Sequence, residues 1–167
     1  MSEARVVPSF GQESVWDYPL KAQVQPCERR VRVVFNEVTV ADTTHALRVV
    51  QRGIPPVYYF PPEGVRRDPL AKTQHTSYCG YKGRADYFTL SVGERSAKNV
   101  AWCYPDSDPQ HTPAGYLAFY AHLLDACYVG GERASAPPWT WLGGWVTSDI
   151  TGPFLSQQEY GSLYGGV

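Results

Sequence analysis

Apolar and β-branched residues come in short runs separated by turn formers, a pattern of many strands rather than long helices. Arg30-Val31-Arg32-Val33-Val34-Phe35, the polar pair Asn36-Glu37 and Val38-Thr39-Val40 form the first block. Two β-branched runs flanking a two-residue polar break predict a β-hairpin. The arrangement returns with Tyr87–Val92 as one arm, Gly93-Glu94-Arg95-Ser96 as the break and Ala97–Tyr104 as the other arm. Each hairpin is followed by a Pro-containing connection and an aromatic run, Pro55-Pro56-Val57-Tyr58-Tyr59-Phe60 and then Pro113–Tyr120. A duplicated β unit of about 55 residues fits this pattern, and so does a chance likeness between short aromatic strands. Ala41–Arg52 predicts one short helix, with Asp42 or Thr43 as its cap and Gly53 at its end. Residues 116–128 fit both periods, and strand followed by a turn is the reading adopted.

Gly, Ser, Pro and charged residues interrupt every apolar run before Trp16, so residues 1–14 read as a flexible N-terminal arm. One folded domain is expected over residues 15–133. Ala134-Ser135-Ala136-Pro137-Pro138 then reads as a linker that opens a Trp-rich C-terminal tail, residues 134–167, carrying Trp139, Trp141, Trp145 and Phe154. Large aromatics bring about 150–250 Å² each to bury. The tail is therefore expected to pack on the domain or on a partner subunit, which makes a homodimer one outcome.

Composition sharpens this picture in three places. With 15 Lys+Arg against 16 Asp+Glu and a net charge of −1, the chain has no basic excess for counterion release, so nucleic acid is not an expected partner. The 4 cysteines, Cys27, Cys79, Cys103 and Cys127, include no CxxC pair, and His45, His111 and His122 are scattered, so no metal site and no cofactor is expected. No apolar stretch reaches membrane-spanning length and no signal peptide is evident, which gives the expectation of a cytoplasmic protein with reduced thiols and no membrane partner.

The ordered segments Val15-Trp16-Asp17-Tyr18-Pro19, Pro55–Tyr59, Ser77-Tyr78-Cys79-Gly80-Tyr81-Lys82-Gly83, Ala101-Trp102-Cys103-Tyr104-Pro105, Gly115–Tyr120 and Gly143–Ile150 resemble the domain of unknown function 427 family. The likeness runs from about Val15 to about Phe154. It implies a mainly β fold, a small β-tent or Mss4-like domain of two antiparallel sheets with at most one or two short helices, here without the zinc site. Gly80 departs from the Pro or Glu expected between the cysteine and the aromatic residue. Family members often carry a nucleotidyltransferase label. That chemistry needs carboxylates holding two Mg²⁺ ions and a cradle for phosphates. The nearest match is Asp106-Ser107-Asp108 between two prolines, which reads as a turn.

Chemistry concentrates in His75–Gly83, where imidazole, thiol, amine and phenols fall within one segment. In an extended strand His75, Ser77, Cys79 and Tyr81 share one face, and Tyr78 and Lys82 point the other way. His75 and Cys79 then stand about 13 Å apart at ~3.3 Å per residue, too far for a Cys–His nucleophile pair without a bend. The tent that the resemblance implies leaves a cleft between its sheets, and phenols with one amine and one or two carboxylates can orient a ligand there. The candidate reactive residues are Cys79, Lys82 and His75. The candidate ligand contacts are Tyr58, Tyr59, Tyr81, Tyr87, Trp102, Tyr104, Tyr120, Asp125 and Glu132. The resulting expectation is a small organic ligand in an aromatic cleft, with any reaction unspecified. A non-catalytic module that self-associates through its tail is the rival.

Overall fold

Short β-branched and aromatic runs separated by turn formers favour extended chain, and the computed structural model, which describes residues 5–79, 82–108, 113–137 and 142–165, contains thirteen strands and one α-helix among those residues. The first six strands are β1 (Glu13–Ser14), β2 (Gln23–Cys27), β3 (Val31–Phe35), β4 (Val38–Thr43), β5 (Ala46–Gln51) and β6 (Ile54–Tyr59). There follow β7 (Leu70–Cys79), β8 (Gly83–Val92), β9 (Arg95–Cys103), β10 (Ala118–Phe119), β11 (Ala126–Val129), β12 (Glu132–Arg133), β13 (Ile150–Thr151) and the helix α1 (Gln157–Tyr164). The mainly β reading with few helices holds, and the strands are distributed over four sheets.

Three sheets are antiparallel, in the orders β12-β11-β3-β4, β2-β5-β6 and β10-β9-β8-β7, and the fourth is the short parallel pair β1-β13. Phe60 and Leu117 exchange backbone hydrogen bonds of 2.7 and 3.0 Å, so the end of β6 meets the start of β10 and the second and third sheets adjoin. All six residues of β6 are buried, because the strand is covered on both faces. On one side Tyr58 and Phe60 join Phe35, Leu90, Leu117, Phe119 and Trp145. On the other, Val57 and Tyr59 join Val49, Ala85, Tyr87, Trp102 and Ala118. Period-two alternation thus divides one strand between two cores.

The two predicted hairpins are β3–β4 and β8–β9. Asn36 and Glu37 have φ of 48° and 64°, the left-handed pair that a two-residue turn needs to match strand twist. Gly93 supplies a positive φ of 61° at the second tip. The tips touch: Asn36 Nδ2 donates to the Val92 carbonyl at 2.9 Å. The Asp125 carboxylate accepts from the Asn36 backbone N–H at 2.6 Å and from the two terminal guanidinium nitrogens of Arg95 at 2.7 and 2.9 Å.

The helix expected over Ala41–Arg52 is instead the end of β4, a turn and β5. Thr43 does cap, but its Oγ1 accepts the His45 N–H at 2.9 Å inside the turn between strands. Val49 and Val50 face different cores, which an extended chain achieves and a helical stripe does not. Residues 116–128 form β10, a single 3₁₀ turn at Ala121–Leu123 and β11, in keeping with the strand-then-turn reading.

The C-terminal third folds onto the same cores. Trp145 is fully buried against Tyr58, with centroids 5.3 Å apart, and Phe60, and its indole N–H donates to the Phe119 carbonyl at 3.0 Å. Within residues 1–14, Glu13 and Ser14 pair with Ile150 and Thr151. The Trp16 indole N–H donates to the Pro153 carbonyl at 2.7 Å. Ser156 and Glu159 cap α1 reciprocally, and its tyrosines 160 and 164 hydrogen-bond to Gln51 and to the Arg52 carbonyl. Trp139 and Trp141 lie outside the described residues. No helix among the described residues is long and apolar enough to cross a membrane.

Candidate functional site

The β7–β8–β9 register assembles the chemistry that the sequence placed in His75–Gly83. Ser77 stands opposite Ala85 and Tyr87 opposite Trp102, so alternation brings Ser77, Tyr87 and Trp102 to the face that meets β6. Ser77 Oγ lies 2.9 Å from Tyr87 Oη, and the His75 ring is 4.5 Å from the Tyr87 ring. Tyr78, one residue out of phase, is 78% exposed. From β6, Tyr59 meets Trp102 edge-on at 6.5 Å. From the segment after β10, Tyr120 lies 4.4 Å from Trp102 and hydrogen-bonds to Tyr87. Tyr104 follows β9 and packs against the same cluster.

Cys79 pairs with Gly83, so the chain reverses between them. This reversal corrects the expectation for Lys82, which strand alternation had pointing away from Cys79. Its ammonium lies 5.7 Å from the Tyr104 ring centroid and within electrostatic reach of Cys79. The side chain is half-buried, and its amine end sits where burial lowers its pKa below that of an ordinary lysine, with Cys79 partly offsetting the effect. No carboxylate among the described residues forms an ion pair with it.

Burial and the crowding of phenols push Tyr104 and Tyr120 far above the ordinary tyrosine range. Both are therefore neutral O–H groups at physiological pH, able to donate or accept. Burial lowers the pKa of His122, whose ring lies 5.7 Å from Tyr120, and so favours its neutral form. The cluster thus combines a buried aromatic core, phenolic and imidazole hydrogen-bonding groups, one thiol and one amine.

The candidate residues divide sharply. Tyr59, Tyr87, Trp102, Tyr104, Tyr120, His75, Cys79 and Lys82 come together in one cluster, in which Tyr59 and Trp102 are buried core side chains. Tyr58 is on the opposite face of β6, buried against Trp145, with burial pushing its hydroxyl up to about 12. Asp125 is engaged at the hairpin tips, and Glu132 accepts from the Ser148 N–H and hydroxyl at 2.6 and 2.7 Å. Gly80 and Tyr81 lie outside the described residues. Sequence reasoning did not assign a site role to Ser77 or His122. Ser77 was legible from its phase with His75, whereas His122 enters through a 3₁₀ turn that gives no periodic signal. Gly143 was also unassigned. At φ 77°, with an added Cβ meeting Trp102 at 2.1 Å, it lets the chain run directly over the indole.

Among the described residues no group of three or more His, Cys, Asp or Glu is placed to hold a metal ion. Asp106 stands in the turn after β9, within electrostatic reach of Arg84. Compared with known families, residues 23–130 match the model described as a domain of unknown function, DUF427. No curated protein matches the chain.

Proposed function

The chain belongs to the domain of unknown function 427 family, a description that assigns no activity, and we propose from the site itself that it binds a small organic ligand in the cleft of Tyr59, Tyr87, Trp102, Tyr104 and Tyr120. The observation that carries this reading is the Lys82 amine, half-buried over the Tyr104 ring beside Cys79. Buried polar groups converging on an apolar wall are the usual composition of a ligand site. A purely structural lysine at a hairpin turn would put its ammonium in water. Cys79 and His75 line the same face, and a reaction at this site would draw on them with Lys82.

The rival reading, self-association through residues 134–167, has less support, because Trp145 satisfies its apolar surface and its indole N–H within its own chain. An unbiased metabolite screen by thermal shift tests the proposal, since a ligand that prefers the folded state raises its stability. Hits are expected to stabilise the wild type and to lose that effect in Lys82→Met, which keeps most of the stem volume without the charge. Hits unaffected by both Lys82→Met and Trp102→Leu would overturn the reading.

A further inference from the structure

We propose that β7 is a docking edge to which an acidic, extended segment of another protein adds as a further strand. The outermost strand of a sheet leaves a row of N–H and C=O groups unpaired along its outer side, and folded proteins shorten, cover or interrupt such rows. Most edges of this structure are treated in that way. β1, β10, β12 and β13 have 2 residues each. β2 carries Pro26. β4 is covered where the Arg66 N–H donates to the Val40 carbonyl at 2.9 Å, and β6 where the Trp145 N–H donates to the Pro56 carbonyl at 3.0 Å. β7 differs from all of these: it ends the order β10-β9-β8-β7, runs for 10 residues without proline or glycine, and is exposed along most of its length. A row of strand-spaced backbone donors and acceptors is matched by another extended chain, which fixes the conformation of the partner.

Charge fixes its composition. Register places Lys72, Thr76 and Tyr78 of β7 on the face that carries Arg84 and Asp86 of β8. The Asp86 carboxylate is buried and takes both cations, Lys72 at 3.6 Å and Arg84 at 2.9 Å, whose side chains stay 58% and 51% exposed. Arg67 acts on Cys103 together with Lys72, Arg84 and Asp86, and Asp106 lies within electrostatic reach of Arg84. Three cations thus meet two carboxylates, and the surplus beside the edge is positive. An edge lysine is one device that keeps a strand from pairing with its own copy, and the irregular register between Lys72 and Thr76 is a second. Both oppose a β7–β7 dimer. The same lysine favours a strand that sets carboxylates on this face, opposite Lys72 and within two strand spacings, about 10 Å, of Arg84. Regular register resumes at Thr76 and runs to Cys79, where the added ladder forms. Alternate side chains of a strand share a face, so the recognised pattern is an acidic residue at every second position, with the exposed Tyr78 ring as its apolar contact.

The probe is a capped eight-residue peptide of alternating glutamate and valine. Its lysine–valine counterpart and an acidic version with a central proline, which cannot complete a ladder, are the controls. Calorimetry and amide hydrogen exchange on the full chain read the outcome, and sedimentation gives the oligomeric state. The acidic peptide is expected to bind about tenfold or more tightly than the lysine peptide and to slow exchange of the Thr76–Cys79 amides by a similar factor. The proline version should lose that protection. Lys72→Gln should remove most of the charge preference, since an exposed side chain is changed without touching the ladder. Absence of binding at millimolar peptide, equal binding of the lysine peptide, a preference unchanged in Lys72→Gln, or equal protection by the proline version would each overturn the proposal. A protein that sediments as a dimer with its β7 amides already protected would overturn it too, and would give the edge to a second copy of the chain.

Discussion

Cys79 differs from the other three cysteines in where its sulfur sits. It is half-buried at the end of β7 beside Lys82, whereas Cys27, Cys103 and Cys127 are buried. Burial also pushes the Cys103 and Cys127 thiols up, which lowers their thiolate fraction at neutral pH. Partial labelling with iodoacetamide should therefore modify Cys79 first, and mass spectrometry of the peptides ranks the four. Equal labelling of Cys127 in the native protein would show that exposure and proton affinity do not control the reaction here. At this scale the sequence was informative about residue type and phase. Placing His75, Ser77 and Cys79 on one face needed only the two-residue period of a strand, and the structure agrees for Ser77 and Tyr78. It misdirected Lys82, because strand alternation points the side chain away from Cys79 while the reversal between Cys79 and Gly83 sets its actual direction. Nor could it separate Tyr58 from Tyr59: adjacent phenols of equal apparent promise, they lie in different cores because β6 is covered on both sides.

Hairpins were the most legible elements, since β-branched arms and two-residue tips are local signals. What holds the tips together was not legible, because Asp125 reaches Asn36 across 89 residues of sequence. The helix expected over Ala41–Arg52 failed for a related reason: its cap and stop residues serve a strand turn equally well, and tertiary burial of Val49 and Val50 decides between them. The clasp has a pH signature. The Arg95 guanidinium first, and then the Asn36 N–H, hold the Asp125 carboxyl below its usual range. A depressed folded-state pKa contributes stability that is present above the unfolded value of about 3.9 and is lost as pH falls through the lower folded value. Urea midpoints measured for wild type and Asp125→Asn should therefore differ most above about pH 5 and converge as the carboxyl becomes protonated. A gap that stays constant down to pH 2 would mean that the carboxylate charge contributes nothing to the clasp.

For the whole molecule, the relation between the two cores matters more than any one sheet. Trp145 closes the core on the Tyr58 side of β6, and Gly143, two residues earlier, runs over Trp102 on the other side. The segment 142–145 is thus packed against both faces of the same strand system, the long-range outcome that the aromatic content of residues 134–167 pointed to without specifying where. Trp145→Ala removes the largest fully buried side chain among the described residues together with an indole hydrogen bond. A loss of about 3–5 kcal/mol is expected in chemical denaturation, enough to unfold a domain of ordinary stability at raised temperature. A loss under about 1 kcal/mol would indicate that the site collapses around the missing ring.

The β1–β13 pairing also sets the order in which the protein can be completed during synthesis. Thr151 hydroxyl bonds to the Glu13 carbonyl across 138 residues. At about 5–20 residues per second a ribosome makes the second partner roughly 7–28 s after the first. For that interval β1 has no strand to add to, Trp16 lacks the carbonyl that takes its indole N–H, and the Tyr58 side of β6 waits for Trp145. Hairpins β3–β4 and β8–β9 close locally as they emerge. The nascent chain therefore spends seconds as a set of finished hairpins around an unfinished core, the form in which a holding chaperone would meet it.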